Sequence, residues 1–150
     1  LNMEMIGRIL STRYLESIRE REGGSYGVGC AGGLQVYPVA KAYLLMQFDT
    51  DPDKQVKLMN IIHEEVNTIV ENGPLAKDLQ KEKESMLKDF EEDLEKNSYW
   101  NEVLSVYYKN DINYITDYKS AVEAITAETV QATLKKLVDA GNVFEVIMMP

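Results

Sequence analysis

The chain has 150 residues, of which 45% are hydrophobic and 27% are charged, and this composition is that of a folded globular domain rather than a disordered segment. Its 25 acidic and 16 basic residues give a net charge of −9, which argues against nucleic acid as a partner, because cations supply most nucleic-acid affinity. A single cysteine and a single histidine exclude an intrachain disulfide and any zinc site built from two imidazoles of this chain.

The sequence shows neither a signal peptide nor an apolar run long enough to cross a membrane. We therefore expect no membrane partner for this chain. The compartment of the parent protein is left open, with the bacterial periplasm and the cytoplasm as the alternatives.

The first predicted element is an amphipathic helix from about residue 3 to residue 22, because its apolar residues recur every three or four positions. Gly23-Gly24 is expected to end this helix, since glycine adopts the left-handed conformation without steric cost. The period then changes to two, which predicts a strand over 25–36 with an apolar face and a nearly bare, glycine-rich face. After a turn, the same alternation predicts a second strand over Ala40–Phe48.

Helices are predicted to fill most of the second half of the chain. Asp51-Pro52 is a strong start signal, and Asn72-Gly73-Pro74 is an equally strong stop signal. The helical period continues in a long helix that begins near Leu75, a helix from Ser98 to Tyr108, a short helix near Tyr114–Val122, and a helix that Thr126 caps and Gly141 ends. Val143–Met149 is predicted to be a closing strand.

This order of elements predicts an α+β fold with two layers, in which helices pack on one face of a mostly antiparallel sheet. Residues 1–150 contain no linker or repeat and are expected to form a single domain. Three strands are few for so many helices, so we expect the sheet to be incomplete. Unpaired strand edges and exposed apolar surface would then favour a dimer or aggregation.

Two sequence motifs suggest ligands but lack the context that the chemistry needs. Gly27–Gly32 matches G-x-G-x-x-G, and Asp49 follows at about the distance of a ribose-binding acid, but the glycines follow a helix and continue as a strand. His63 begins a sequence like H-E-x-x-H, but Asn67 stands where the second histidine must be. We therefore predict neither a dinucleotide site nor a metal site in this chain.

The junction between the first helix and the first strand carries the more specific signal. Arg19 lies in the last helical turn and Tyr26 opens the strand, with the glycine break between them. Arg19 could simply interact with the helix dipole, and Tyr26 could simply be an aromatic residue of a strand. A guanidinium and a phenol that converge at one corner of a sheet can also donate hydrogen bonds to a carbonyl oxygen or an oxyanion.

This junction resembles the C-terminal, metal-free half-domain of the pitrilysin, insulysin and mitochondrial-processing-peptidase family of inverted-motif zinc peptidases. Those half-domains enter a Gly-rich strand through L-R-x-x-x-x-x-x-Y, which here is Ile18-Arg19 through Tyr26. The similarity continues through a second strand, a Pro-started helix and a long helix with Leu79–Lys83, and it ends at Asn142–Pro150, which is similar to the family's closing strand.

The resemblance implies two similar α+β halves around a chamber, with zinc held by H-x-x-E-H and a downstream Glu in the N-terminal half. Arg19 and Tyr26 would then be substrate-binding residues that contact the peptide carbonyl, and this chain would supply no catalytic residue and no metal ligand. The implied partners are a peptide substrate and the catalytic half, in the same protein or in a partner subunit. Because a whole half-domain is longer, we expect this chain to be its C-terminal portion.

The leading hypothesis is therefore the substrate-binding region of a zinc-dependent metalloendopeptidase that cleaves peptides or unfolded polypeptides. This chain alone should be inactive. The alternative is a non-catalytic structural or peptide-holding subunit of a two-subunit assembly, because the family also contains members that assemble without cleaving. An unrelated α+β interaction module is a third hypothesis.

Overall fold

A computed structural model describes residues 1–23, 25 and 27–148 of the chain. β1 and β2 pair antiparallel, with Val28 opposite Phe48 at one end and Gln35 opposite Lys41 at the other. Helices pack on one face of this hairpin, so the predicted α+β class is confirmed. The elements in chain order are α1 (Asn2–Tyr14), a π-helical segment (Leu15–Arg21), β1 (Val28–Gln35), β2 (Lys41–Phe48), α2 (Gln55–Asn72), α3 (Ala76–Asp93), α4 (Asn97–Asn110), α5 (Tyr118–Glu123) and α6 (Ala127–Asp139).

Helix α1 is the centre of the fold, because it packs against the hairpin on one side and against α2, α3 and α6 on the others. Its apolar residues recur at helical spacing and their burial removes a continuous stripe from water. The fully buried members of this stripe, including one on the π-helical segment, are Met5, Ile6, Ile9, Leu10, Tyr14 and Ile18.

Backbone atoms of α1 and β1 lie in direct contact, because glycines occupy the crossing on both elements. A Cβ atom added at Gly32 would lie 1.8 Å from the carbonyl oxygen of Met3, and one added at Gly7 would lie 2.5 Å from the Gly32 nitrogen. Further along the helix, Ser11 Oγ accepts a 2.8 Å hydrogen bond from the Cys30 N–H and donates one of 2.8 Å to the Cys30 carbonyl. This hydroxyl therefore satisfies both backbone groups of one β1 residue.

The two faces of the hairpin differ in burial, as the alternation of the sequence predicts. The inner face packs on the core with Val28, Cys30, Leu44, Met46 and Phe48. On the outer face, Leu45 is 60% exposed. Leu34 is on the predicted apolar face but is 66% exposed, because the residue two positions before it already lies beside Met3, near the first residue of α1. The strand continues past the end of the helix that would cover it.

Two predicted helix boundaries need correction. Asp51-Pro52 does not begin α2. The Lys54 N–H donates to the Asp51 carbonyl in a separate turn, and the helix begins at Gln55. The short helix near Tyr114 begins only at Tyr118, because the Asn113 side chain accepts hydrogen bonds from two following backbone N–H groups and forms a turn.

Other predicted boundaries are confirmed. Gly23 has a φ of +54° just after the π-helical segment, and Gly141 has a φ of +70° after α6. Thr126 caps α6, because its hydroxyl accepts a hydrogen bond from the Thr129 N–H at 3.3 Å.

The predicted closing strand over Val143–Met149 is wrong for its described part, since residues 143–148 form no strand. A strand needs a neighbour for its backbone N–H and C=O groups, and within the described chain the Val143 N–H instead bonds to the Gly141 carbonyl. Phe144, 90% exposed, shows that the segment does not join the core. Met149 and Pro150 lie outside the described residues.

No helix in the described part of the chain is both long and apolar enough to span a membrane.

Replacement of Gly32 by Ala tests the contact between α1 and β1. The new Cβ meets the Met3 backbone, so α1 must move, and we expect a loss of about 3 kcal/mol in the free energy of unfolding. Gly29→Ala in the same strand is the matched control, because no atom lies within 4 Å of its added Cβ; we expect no loss or a small gain. Urea denaturation measures both, and equal effects of the two substitutions would contradict the described contact.

Cys30 provides a second test of the same region, because burial raises the pKa of its thiol to about 12. Since the thiolate is the reactive form, we expect labelling of the folded protein at pH 8 to be about a thousandfold slower than in urea. The chain has only this cysteine, so a thiol reagent reports on it directly. Equal labelling rates with and without urea would show that the hairpin does not pack on α1 as described.

Candidate functional site

Arg19 lies on the π-helical segment that follows α1, next to two buried residues. Ile18 is fully buried and Ser17 is 4% exposed, whereas Arg19 itself is exposed. Its carbonyl oxygen accepts the Gly23 N–H at 3.2 Å, so its backbone is held at the helix end. Among the described residues, none forms a hydrogen bond or ion pair with the Arg19 guanidinium.

Tyr26, the other predicted site residue, and Gly24 lie outside the described residues. The described neighbours of position 26 are both bound by Asp49, at the end of the opposite strand. Asp49 Oδ1 accepts the Gly27 N–H at 3.2 Å, and Ser25 Oγ lies 3.1 Å from the same oxygen. The sequence suggested Asp49 only as a ribose-binding acid, and the hairpin register that brings it to the start of β1 was not visible in any local motif.

A network of charged side chains lies beneath the π-helical segment. The Arg13 Nε donates to Glu65 Oε2 at 2.6 Å, and an Arg13 terminal nitrogen lies 3.5 Å from Asp78 Oδ2. On the other side of the segment, Arg21 lies 3.9 Å from Glu65 Oε1. The Glu65 carboxylate of α2 thus lies between a guanidinium from α1 and one from the last residue of the π-helical segment.

The side chains of this network are largely shielded from solvent. The Glu65 and Asp78 side chains are 9% and 5% exposed, and that of Arg13 is 17% exposed. Burial by itself lowers the pKa of Arg13, but the hydrogen bond and charge of Glu65, together with the charge of Asp78, raise it above its ordinary value. Asp78 Oδ2 accepts no hydrogen bond from the described residues, so the Arg13 charge is its main compensation.

An open cleft of about 300 Å³ separates the π-helical segment from α2. One side of the π-helical segment lines this cleft and faces solvent. On the other side, Ile18 is buried in the core. The residues that line it are Arg13, Ser17, Arg21, Glu22, Ile61, Glu64, Glu65 and Thr68.

The structure also places the residues of the other two sequence motifs. Gly29 to Gly32 lie within strand β1 and open no helix, as expected from the sequence. His63 is exposed on α2, and its Nε2 lies 2.7 Å from Glu145 Oε1. The described ranges contain no group of three His, Cys, Asp or Glu side chains that could hold a metal ion, so a zinc site does not fit the residues described.

The family model described as the peptidase M16 inactive domain matches residues 2–86, which is more than half of the chain. The chain belongs to this family. The match includes α1, the π-helical segment with Arg19, the hairpin and α2, which together contain most of the described site. The proposed resemblance to a metal-free half-domain of the inverted-motif peptidases is confirmed.

Solved structures share the fold of this M16 inactive domain. A peptidase M16 inactive domain from Pseudomonas fluorescens superposes with a TM-score of 0.70 at 19% identity, and the periplasmic protease PqqL from Escherichia coli with 0.68 at 18%. A protease from Helicobacter pylori gives 0.76 at 14%. Each comparison covers 90% of this chain. No protein of curated function matches the chain.

The matched part is a minor share of each relative. It spans 33% of the Pseudomonas and Helicobacter chains and 15% of the Escherichia chain. At these identities the structural similarity establishes the fold alone. The family and fold therefore describe an inactive domain of a peptidase-like protein.

Arg13→Met tests the buried charge network. It leaves Glu65 and Asp78 buried without their cation, and we expect it to lower the free energy of unfolding by about 3 kcal/mol. Arg21→Met is the matched control: its side chain is 68% exposed and lies 3.9 Å from Glu65, so we expect a loss below about 0.5 kcal/mol. Both are measured by urea denaturation, and a neutral Arg13→Met variant would contradict the assigned role of the network.

Proposed function

We propose that this chain is the substrate-binding, metal-free region of a zinc-dependent metalloendopeptidase that cleaves peptides or unfolded polypeptides. In this proposal, Arg19 and Tyr26 bind the substrate and the chain supplies no metal ligand. The catalytic N-terminal half lies in the same protein or in a partner subunit.

The observation that carries the proposal is the exposed guanidinium of Arg19, which has no partner among the described residues and lies on a backbone that the core holds. Other described arginines next to α1 and its continuation are paired: Arg13 with Glu65 and Asp78, and Arg8 with Asp89 at 2.7 Å. Arg19 has no such partner among the described residues, although the chain carries 25 acidic residues. An arginine that keeps its five donors free on a rigid element is suited to bind carbonyl or carboxylate oxygens.

The chemistry of the two side chains fits the recognition of a peptide backbone. A guanidinium donates two parallel hydrogen bonds, and a phenol donates one, so together they can hold a carbonyl oxygen and stabilise negative charge that develops on it. Zinc, when bound by the catalytic half, would polarise that carbonyl and activate water. Arg19 and Tyr26 would hold the peptide in place for this attack.

The second candidate function is a non-catalytic subunit that holds peptides. It is favoured by the description of the family as an inactive domain. Both functions use the same substrate contacts and differ only in whether the partner half carries zinc ligands. Zinc content and peptidase activity of the purified parent protein distinguish them, because only the first function requires both.

Arg19→Ala in the parent protein tests the proposal. Peptide affinity is measured by fluorescence anisotropy with a fluorescein-labelled casein peptide, in the presence of a chelator that prevents cleavage. Because a hydrogen bond to a charged group contributes about 1.5–3 kcal/mol, we expect binding to weaken at least about tenfold. Tyr26→Phe loses one neutral donor, and we expect a smaller loss of about threefold.

Lys81→Ala is the matched control, because it removes one exposed positive charge from α3 without changing the proposed site. It should bind the peptide like the wild type. Unchanged affinity in both the Arg19→Ala and Tyr26→Phe variants would refute the proposed roles. A loss in Lys81→Ala equal to that in Arg19→Ala would show only a general charge effect and would also count against the proposal.

A further inference from the structure

We infer that Glu65 is a positioning residue for Arg19: its buried carboxylate sets the direction of the substrate-binding guanidinium through Arg13 and Arg21. This inference rests on the proposed function of Arg19. It concerns α2, an element that contributes no substrate contact in the proposal.

The backbone that carries Arg19 differs from that of an α-helix. Leu15–Arg21 is π-helical, and a turn of π-helix contains more residues than a turn of α-helix. A side chain on such a segment therefore points in a direction that a continued α1 would not give it. Arg19 is the fifth of the seven residues of the segment, so the wider turns before it change the direction of its side chain.

Glu65 contacts arginines on both sides of the π-helical segment, one before it and one at its last residue. Arg13 precedes the segment by two residues and donates to Glu65 Oε2, while Arg21 ends the segment and approaches Oε1. Between them, Ser17 Oγ donates to the Arg13 carbonyl at 2.8 Å, which stabilises the altered turn. One carboxylate therefore joins the beginning of the segment to its end.

Glu65 lines the cleft, but little of its side chain is exposed to a substrate. Its side chain is 9% exposed, its Oε2 accepts a hydrogen bond from Arg13, and Arg21 lies 3.9 Å from its Oε1. Glu22, which follows the last residue of the segment, forms a separate ion pair with Lys57 of α2. We therefore expect an effect of Glu65 on peptide binding to pass through the segment that carries Arg19.

The test is a double-mutant cycle between Glu65→Gln and Arg19→Ala in the parent protein, with the same labelled casein peptide and chelator. Glutamine keeps the size of the side chain but removes its charge. We expect Glu65→Gln alone to weaken peptide binding about fivefold. When Arg19 is already alanine, we expect the same substitution to have no further effect, because Glu65 acts on binding only through Arg19.

Glu82→Gln is the matched control. Glu82 is a buried carboxylate, 7% exposed like Glu65, and it also binds α1, since Thr12 Oγ1 donates to it at 2.9 Å. It has no partner on the π-helical segment among the described residues. We expect Glu82→Gln to affect unfolding but to leave peptide affinity unchanged, or to change it by the same factor with and without Arg19.

The outcomes separate this inference from the proposed function. If Arg19→Ala leaves binding unchanged, the proposed function fails, and the inference fails with it. If Arg19→Ala weakens binding but Glu65→Gln has no effect, or has the same effect in both backgrounds, only the positioning role is overturned. If Glu65→Gln folds poorly, Glu65→Asp replaces it in the cycle. Aspartate keeps the negative charge but moves the carboxylate relative to Arg13, so we expect the same pattern of binding.

Discussion

The contact of α1 with β1 at Gly7 and Gly32 is the constraint on which the rest of the structure depends. No side chain separates the two backbones there, and the added Cβ distances of 2.5 Å and 1.8 Å show that none could. This close approach places Ser11 on the backbone of Cys30 and sets the rotation of the helix about its axis. With that rotation set, the apolar stripe of α1 enters the core and its polar residues meet α2 and α3.

The charged residues on α1 form ion pairs with the neighbouring helices. Arg8 pairs with Asp89 of α3, and Arg13 pairs with Glu65 of α2. Buried ion pairs contribute little net stability compared with apolar packing, but they favour one arrangement over others when each charge has one good partner. In this arrangement α1 continues as a π-helical segment, and the Arg19 side chain near the end of that segment is exposed.

The sequence predicted what depends on local periodicity. The helix over residues 3–22, its glycine end, both strands of the hairpin and the cap at Thr126 follow from spacing and residue type, and the fold class follows from their order. The resemblance at Arg19 and Tyr26 led to the correct family. Arg19 lies in the last turn of the π-helical segment, as the sequence predicted, whereas its role in substrate binding stays a prediction.

What the sequence could not show depends on distant partners. The pairing of Arg13 with Glu65 joins residues 52 positions apart, and no local pattern identifies which carboxylate a guanidinium will choose. The sequence also did not predict the π-helical geometry of Leu15–Arg21, because an apolar period of three or four residues does not distinguish a π-helical turn from an α-helical one. The strand predicted over Val143–Met149 failed because alternation predicts a strand's faces but cannot supply the neighbouring strand that it needs.

The central claim is that Arg19, on the π-helical segment after α1, is held in place to bind a peptide. A crystal structure of the parent protein with a bound peptide, grown with chelator to prevent cleavage, tests this claim most directly. The account predicts that the Arg19 guanidinium lies within hydrogen-bond distance of a peptide carbonyl oxygen, while Glu65 keeps its contact with Arg13. A peptide bound elsewhere, with the Arg19 side chain still in solvent, would contradict it.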